Sequence, residues 1–191
     1  MGRHYAIFDT GIGRCGIVWS EAGIVAVQLP EARELETRRR LFRYYPEARE
    51  QRPPLNIEIA IDGIAAQLRG AAVDLSEVAL DMTGHTAFNQ RVYEFTRAIP
   101  RGETRTYTEL ALQMRRGGAD LSVAQAIARN PFMIIVPCHR VLEVSNYADP
   151  ISPYGGVISK RRLLSIEGAH LVASKTLFEV LLPVAPPRAQ T

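Results

Sequence analysis

Short apolar runs broken by glycines open the chain. Tyr5-Ala6-Ile7-Phe8 leads to Gly11 and Gly13, Cys15-Gly16-Ile17-Val18-Trp19 leads to Glu21-Ala22-Gly23, and Ile24-Val25-Ala26-Val27-Gln28-Leu29 completes the series. β-Branched runs separated by glycine-bearing turns predict an antiparallel meander. Glu31 to Tyr45 then reads as a helix stopped by Pro46, and its Arg38-Arg39-Arg40 run reads as a solvated helix face. After Pro53-Pro54, the residues Ile57, Ile61, Ile64, Ala65 and Leu68 recur at helical spacing, with Gly70 as the stop. Leu75 to Leu80 is a short extended link.

A second unit begins near Gly84, which divides the chain into 1–83, 84–170 and a tail at 171–191. Thr86 is placed to cap a helix whose apolar face is Phe88, Val92, Phe95 and Ile99, ended by Pro100 and Gly102. Thr106 caps the next helix, Tyr107 to Met114, and Glu109 three residues on completes a capping box. Arg115-Arg116-Gly117-Gly118 is a turn, and a third helix runs from around Asp120 to Ala128. Two short helices about a glycine turn predict a helix-turn-helix. Arg129-Asn130-Pro131 breaks the pattern, and Phe132-Met133-Ile134-Ile135-Val136 reads as a buried strand ended by Pro137. A loop of about fourteen residues leads to Gly155-Gly156, and a last helix spans Ser159 to Ile166 before Gly168. Leu177 to Val184 is one more apolar segment, and Pro186 onward reads as a loose tail. The overall expectation is a mixed α/β fold (α+β), strands first and helices after.

Composition narrows the class. The chain has 191 residues, 47% hydrophobic and 23% charged, so it supports a packed core and is not a disordered sequence. No run of about 18 apolar residues exists, which excludes a transmembrane helix. The start, MGRHYAIFDTG, lacks the apolar stretch of a secretory signal. Two cysteines exclude a disulfide scaffold and a four-cysteine zinc module. The net charge of +3 is too small to establish nucleic-acid binding, but 21 of the 23 basic residues are arginine. Arginine suits phosphate and base contacts, and a GC-rich genome produces the same bias.

Cys138-His139 is the pair that carries chemistry. A thiol at the end of a buried segment beside an imidazole suits a nucleophile, because the thiolate is the reactive form and a neighbouring base supplies it. Taken alone, the pair fits a buried apolar cysteine better than a nucleophile. The surroundings decide. Asn130-Pro131, five residues, then Pro137-Cys138-His139-Arg140-Val141 resembles the active-site signature of the O6-alkylguanine-DNA alkyltransferases, the methylated-DNA–protein cysteine methyltransferases. Upstream, Thr86-Ala87-Phe88, Val92-Tyr93, Ile99-Pro100, Gly102-Glu103-Thr104 and Tyr107 to Ala111 extend the likeness. Downstream, Gly155-Gly156, Lys160, Leu163-Leu164 and Glu167-Gly168 do the same.

This resemblance implies a ribonuclease-H-like sheet domain at 1–83, a helical DNA-binding and alkyl-transfer domain at 84–170, and a C-terminal extension. It implies a methyltransferase that acts once. The damaged guanine is flipped from the duplex, and the alkyl group at its O6 (or at the chemically similar O4 of thymine) passes to Cys138. His139 is the base acting through a water, Glu167 orients it, Tyr107 donates a proton to the departing guanine, and Asn130 holds the turns around the cysteine. Val141, Tyr154, Gly155, Gly156 and Lys160 are the expected pocket residues. Leu121, Ser122, Ala124, Gln125, Ala128, Arg129, Arg115, Arg116 and Arg140 are the expected DNA-facing residues, although the family's arginine at the last of these is mostly structural. The expected partner is double-stranded DNA approached from the minor groove. No membrane, metal or other cofactor is expected; His4, Cys15 and His85 superficially resemble a zinc site found in some members, without a fourth ligand. A cytoplasmic monomer follows.

Two features depart from the family pattern. The arginine that replaces the flipped base in the stack falls at Leu121, so either an apolar wedge acts there or Arg115 or Arg116 substitutes. The pocket loop reads Ser152-Pro153-Tyr154-Gly155-Gly156, with a bulky Tyr154 where a small residue is usual. Two other readings remain: a relative that binds O6-alkylguanine without transfer, disfavoured because Cys138 is present, and a Cys-His-Glu hydrolase, which leaves the helix-turn-helix unexplained.

Overall fold

A computed structural model describes residues 2–142 and 160–169. Strands β1 (His4–Thr10), β2 (Gly13–Ser20) and β3 (Gly23–Gln28) form the expected antiparallel meander. Helix α1 (Glu34–Tyr44) follows, and a two-residue strand β4 (Arg49–Glu50) returns to pair parallel with β1, giving the order β3-β2-β1-β4. Nothing in two polar residues marks a strand; β4 exists because the β1 edge offers it backbone partners.

Alternation along the strands sorts side chains onto two covered faces. Ala6, Phe8, Cys15, Ile17 and Trp19 pack in one cluster with Ile57, Ala60, Ile64 and Leu68 of α2 (Leu55–Leu68). Tyr5 and Val18 pack on the opposite face with Leu41 of α1 and Tyr45. Gly16 lets α1 approach, since a Cβ there would lie 2.7 Å from Leu41 Cδ1. In the arginine run, Arg38 bonds Glu34 and Glu50 and Arg40 bonds Glu31, so these two are held in ion pairs of the first unit.

Helix α3 (Ala87–Arg97) is capped by the Thr86 hydroxyl, which accepts from Asn89 N. A short strand β5 (Arg105–Thr106) enters α4 (Tyr107–Gln113), whose predicted capping box between Thr106 and Glu109 is present. Helix α4 ends in a Schellman closure, Arg116 N to Ala111 O and Arg115 N to Leu112 O, with Arg115 at φ +55 where glycine is usual. Helix α5 (Asp120–Ala128) follows, and the Thr108 hydroxyl donates to Asp120 Oδ2 at 2.9 Å across the turn. A 3-10 turn (Cys138–Arg140), strand β6 (Val141–Leu142) paired parallel with β5, and helix α6 (Lys160–Ile166) complete the described chain.

One buried apolar cluster runs from Ala6 of β1 to Leu163 of α6, across the predicted boundary near residue 84. The outer edge of β3 is bonded at Ile24 and Val27. Ile24 N donates to Ala79 O, Asp81 N to Ile24 O, and Val27 N to Pro131 O at 2.9 Å. The last of these fastens the start of the cysteine-bearing turn to the sheet.

Candidate active site and DNA-facing helix

The run Phe132 to Val136 is buried, as its composition demands, but it is not a strand. Only Phe132 bridges to the sheet, opposite Val27, and the rest closes a turn in which Val136 N donates to Phe132 O at 2.8 Å. Ile134 sits at φ +72. A β-branched residue there is strained, so the turn must be held by its surroundings. Asn130, fully buried, supplies the hold: its Oδ1 accepts from Phe132 N and its Nδ2 donates to Val136 O, both at 2.9 Å. Sequence alone cannot separate a five-residue buried strand from a buried turn; side-chain bonds to the backbone make the difference here. His85 packs against the rings of Tyr93 and Phe132, with centroids 5.5 and 5.4 Å away, and those two rings also touch each other at 5.7 Å.

The turn delivers Cys138, 1% exposed, at the first position of the 3-10 turn. Its Sγ lies 3.5 Å from Met133 Sδ, a contact no sequence motif announced. His139 Nε2 is 2.8 Å from Glu167 Oε1, with both side chains buried. Burial disfavours the charged imidazole and lowers its pKa below the ordinary value, although Glu167 pulls the other way. Burial would raise the Glu167 carboxyl, but hydrogen bonds from His139 and Arg140 override it and hold the group at about 2. An ionised carboxylate only accepts, so the proton of neutral His139 is assigned to Nε2. Nδ1 is then the bare, basic nitrogen. It is buried and makes no hydrogen bond among the described residues.

Arg140 corrects one expectation. It does not face DNA: it is buried, with Nε and Nη2 on the two Glu167 oxygens at 3.0 and 2.8 Å and Nη1 on Ile99 O at 2.6 Å. Its fork locks the carboxylate bidentately. Lys160, also buried, donates from Nζ to Val141 O at 3.0 Å and lies 3.4 Å from the Tyr107 hydroxyl oxygen, over the Tyr107 ring. Cys138, His139, Arg140 and Val141 are consecutive, so Lys160 and Tyr107 adjoin the cysteine turn through Val141. The predicted pocket residues Tyr154, Gly155 and Gly156, the start of the last helix at Ser159, and the segment Leu177 to Val184 lie outside the described residues.

On α5, Val123, Ala126 and Ile127 point into the core, while Leu121, Ser122, Gln125 and Arg129 are exposed and Ala124 and Ala128 are half-buried. Leu121 is 73% exposed, the largest value among the large apolar side chains of the described residues. Arg115 and Arg116 are exposed on the preceding turn. Cys15 is fully buried in β2, and burial pushes its thiol up to about 12, which makes it inert. Among the described residues no three His, Cys, Asp or Glu side chains gather as a metal site, and no helix is long and apolar enough to cross a membrane.

A sheet-anchored turn presenting a buried cysteine beside a His–Glu pair, next to a helix-turn-helix, is the architecture of a DNA alkyltransferase. A family model described as "6-O-methylguanine DNA methyltransferase, DNA binding domain" matches residues 87–169. The chain is 37% identical over 156 residues to the methylated-DNA–protein-cysteine methyltransferase of Methanothermobacter thermautotrophicus, covering 82% of this chain and 80% of that protein. The crystal structure of Mycobacterium tuberculosis O6-methylguanine methyltransferase superposes with a TM-score of 0.69 at 32% identity, covering 92% of this chain and 99% of that one. A structure of Mycobacterium tuberculosis OGT in complex with DNA superposes with a TM-score of 0.68 at 31% identity, covering 86% and 92%. The chain belongs to the methylated-DNA–protein-cysteine methyltransferase family.

Proposed function

We propose that this protein repairs double-stranded DNA by taking the alkyl group from O6 of guanine onto Cys138, irreversibly and once per chain. The damaged base leaves the stack, because in-line displacement at the alkyl carbon needs an approach the duplex blocks. A water carries the Cys138 thiol proton to Nδ1 of His139, and Glu167 stabilises the imidazolium so formed. The thiolate then attacks the alkyl carbon: the S–C bond forms as the C–O6 bond breaks, and guanine takes the electron pair. The Tyr107 hydroxyl gives a proton to the departing base, and Lys160 Nζ beside that oxygen stabilises the phenolate. The same chemistry extends to O4 of thymine. A thioether is a poor leaving group, so Cys138 is not regenerated. A free reactive thiol persists in a reducing compartment, and the cytoplasm is the compartment we propose. One chain supplies the whole array, so a monomer suffices.

The observation that carries this reading is the buried Cys138–His139–Glu167 array with the bare imidazole nitrogen unbonded. Titration of duplex O6-methylguanine against a fixed amount of protein tests it: repair saturates at one lesion per chain. Continued turnover would mark a hydrolase, and damage-selective binding without repair would mark a non-transferring relative.

In this reading Leu121 is the wedge that fills the gap left by the flipped base. Its exposed apolar side chain at the first turn of α5 fits insertion between base steps. Leu121→Ala slows transfer from duplex DNA by about tenfold, equivalent to roughly 1.4 kcal/mol. It leaves transfer from a free O6-benzylguanine base unchanged, since that substrate needs no flipping. Leu121→Arg strengthens binding to the damaged duplex. Equal loss on duplex and free base would refute the wedge.

A further inference from the structure

The corner that follows α3, Ile99-Pro100-Arg101, touches the Glu167 assembly at two points. Its first residue offers the Ile99 carbonyl to Arg140, the residue that holds both Glu167 oxygens. Its third residue, Arg101, donates to the Ile166 carbonyl at 3.2 Å, on the residue directly before Glu167. The same guanidinium also donates to Gly70 O and Ala71 O, each at 2.7 Å, at the end of α2. Arg101 thus joins the sheet-bearing unit to the backbone of the orienting carboxylate. A cavity of about 350 Å³ lies alongside, lined by Leu75, Ser76, Arg101, Ile134, Pro137 and Arg140 among others. Beside that space, Arg101 adds polar bonds to the apolar cluster that already spans the two units.

We infer that Arg101 is a positioning residue, which sets the place of the Glu167 carboxylate, and through it His139, by strapping Ile166 to the end of α2. This rests on the roles proposed above for His139 and Glu167. The residue type matters. Three carbonyls on two segments need a planar fork, and lysine offers the same charge from a single nitrogen. All three Arg101 bonds go to carbonyls, and no ion pair to a carboxylate is formed within 4 Å among the described residues, so the strap works by geometry more than by charge. The last carbonyls of a helix also lack partners within it, and a cation suits that end; Ile166 closes α6.

The test is the single-turnover rate of the full chain on duplex O6-methylguanine across pH, for wild type, Arg101→Gln, Arg101→Lys and Glu167→Gln. Among the described residues, the charged groups facing His139 are Glu167, Arg140 and Lys160. With the strap cut, the carboxylate contact that raises His139 weakens. Arg101→Gln therefore still reaches one methyl per chain, but its rate falls by roughly one to two orders of magnitude, and the acid limb moves to lower pH. Arg101→Lys moves both in the same direction by a smaller factor. A wild-type rate and unshifted limb in Arg101→Gln, or a lower end point with an unchanged rate in the active fraction, overturns the inference. If Glu167→Gln itself leaves rate and limb unchanged, the underlying reading of Glu167 fails and the inference falls with it.

Discussion

Glu167→Gln slows alkyl transfer by roughly 100-fold, the lower end of what a positioned general base contributes, while the end point stays at one alkyl group per chain. The carboxylate does two things an amide cannot. It fixes the histidine proton on Nε2, because an ionised carboxylate held at about 2 is an acceptor only. In the proposed mechanism it also balances the imidazolium formed when Nδ1 takes the thiol proton. Glutamine neutralises that charge and turns an N–H group toward either His139 or the Arg140 fork, where acceptors are required. Stopped-flow or quench measurements of the first turnover report the loss.

The pH dependence follows from the same groups. The proposed role of His139 requires it neutral, and burial lowers its pKa, so the acid limb of the wild-type rate is expected below about 6.5. Stability moves the same way. A histidine depressed by folding contributes stability fully above its unfolded value and loses it as pH falls through the folded one. Glu167, lowered from 4.5 to about 2, contributes stability above its unfolded value and loses it as pH falls toward about 2. Both groups therefore weaken the fold on the acid side and neither on the basic side.

Asn130→Ala costs about 2–4 kcal/mol of stability, measured by thermal or denaturant unfolding, and slows transfer as well. Its amide bonds both ends of the Phe132–Val136 turn from a fully buried position. Val136 O keeps the Cys138 amide as a donor at 2.8 Å, but Phe132 N is left buried without its acceptor. An orphaned buried amide costs about 1–3 kcal/mol, and the lost side-chain packing adds to it. The turn also stores strain at Ile134, with φ at +72, so it opens once the clamp is gone. Because Cys138 follows two residues after Val136, any opening moves the proposed nucleophile. A variant with wild-type unfolding behaviour would refute the clamp.

Where the governing contacts were local, residue types alone predicted them. The capping box of Thr106 and Glu109, the cap at Thr86 and the glycine-punctuated meander each depend on residues a few positions apart, and each is present. The motif at Asn130 to Val141 and the carboxylate at Glu167 were legible only through family resemblance, since no spacing rule links residues 139 and 167. The failures are those of long-range structure. Phe132 to Val136 looked like a strand because five apolar residues say "buried" and nothing about partners. Arg140 looked available to DNA because nothing in its neighbours marks a guanidinium consumed by Glu167 and by a carbonyl 41 positions away. Met133 against Cys138, β4 against β1 and Arg101 between two segments share that cause.

Mass spectrometry reads covalent capture on Cys138 directly. The protein is incubated with excess duplex DNA carrying O6-methylguanine, its intact mass is read, and the modified peptide is mapped. A single methyl in place of one proton on every chain, located on Cys138 with Cys15 unmodified, is the result the structure predicts. Repaired DNA with an unchanged protein mass, or a methyl on any other residue, would contradict it.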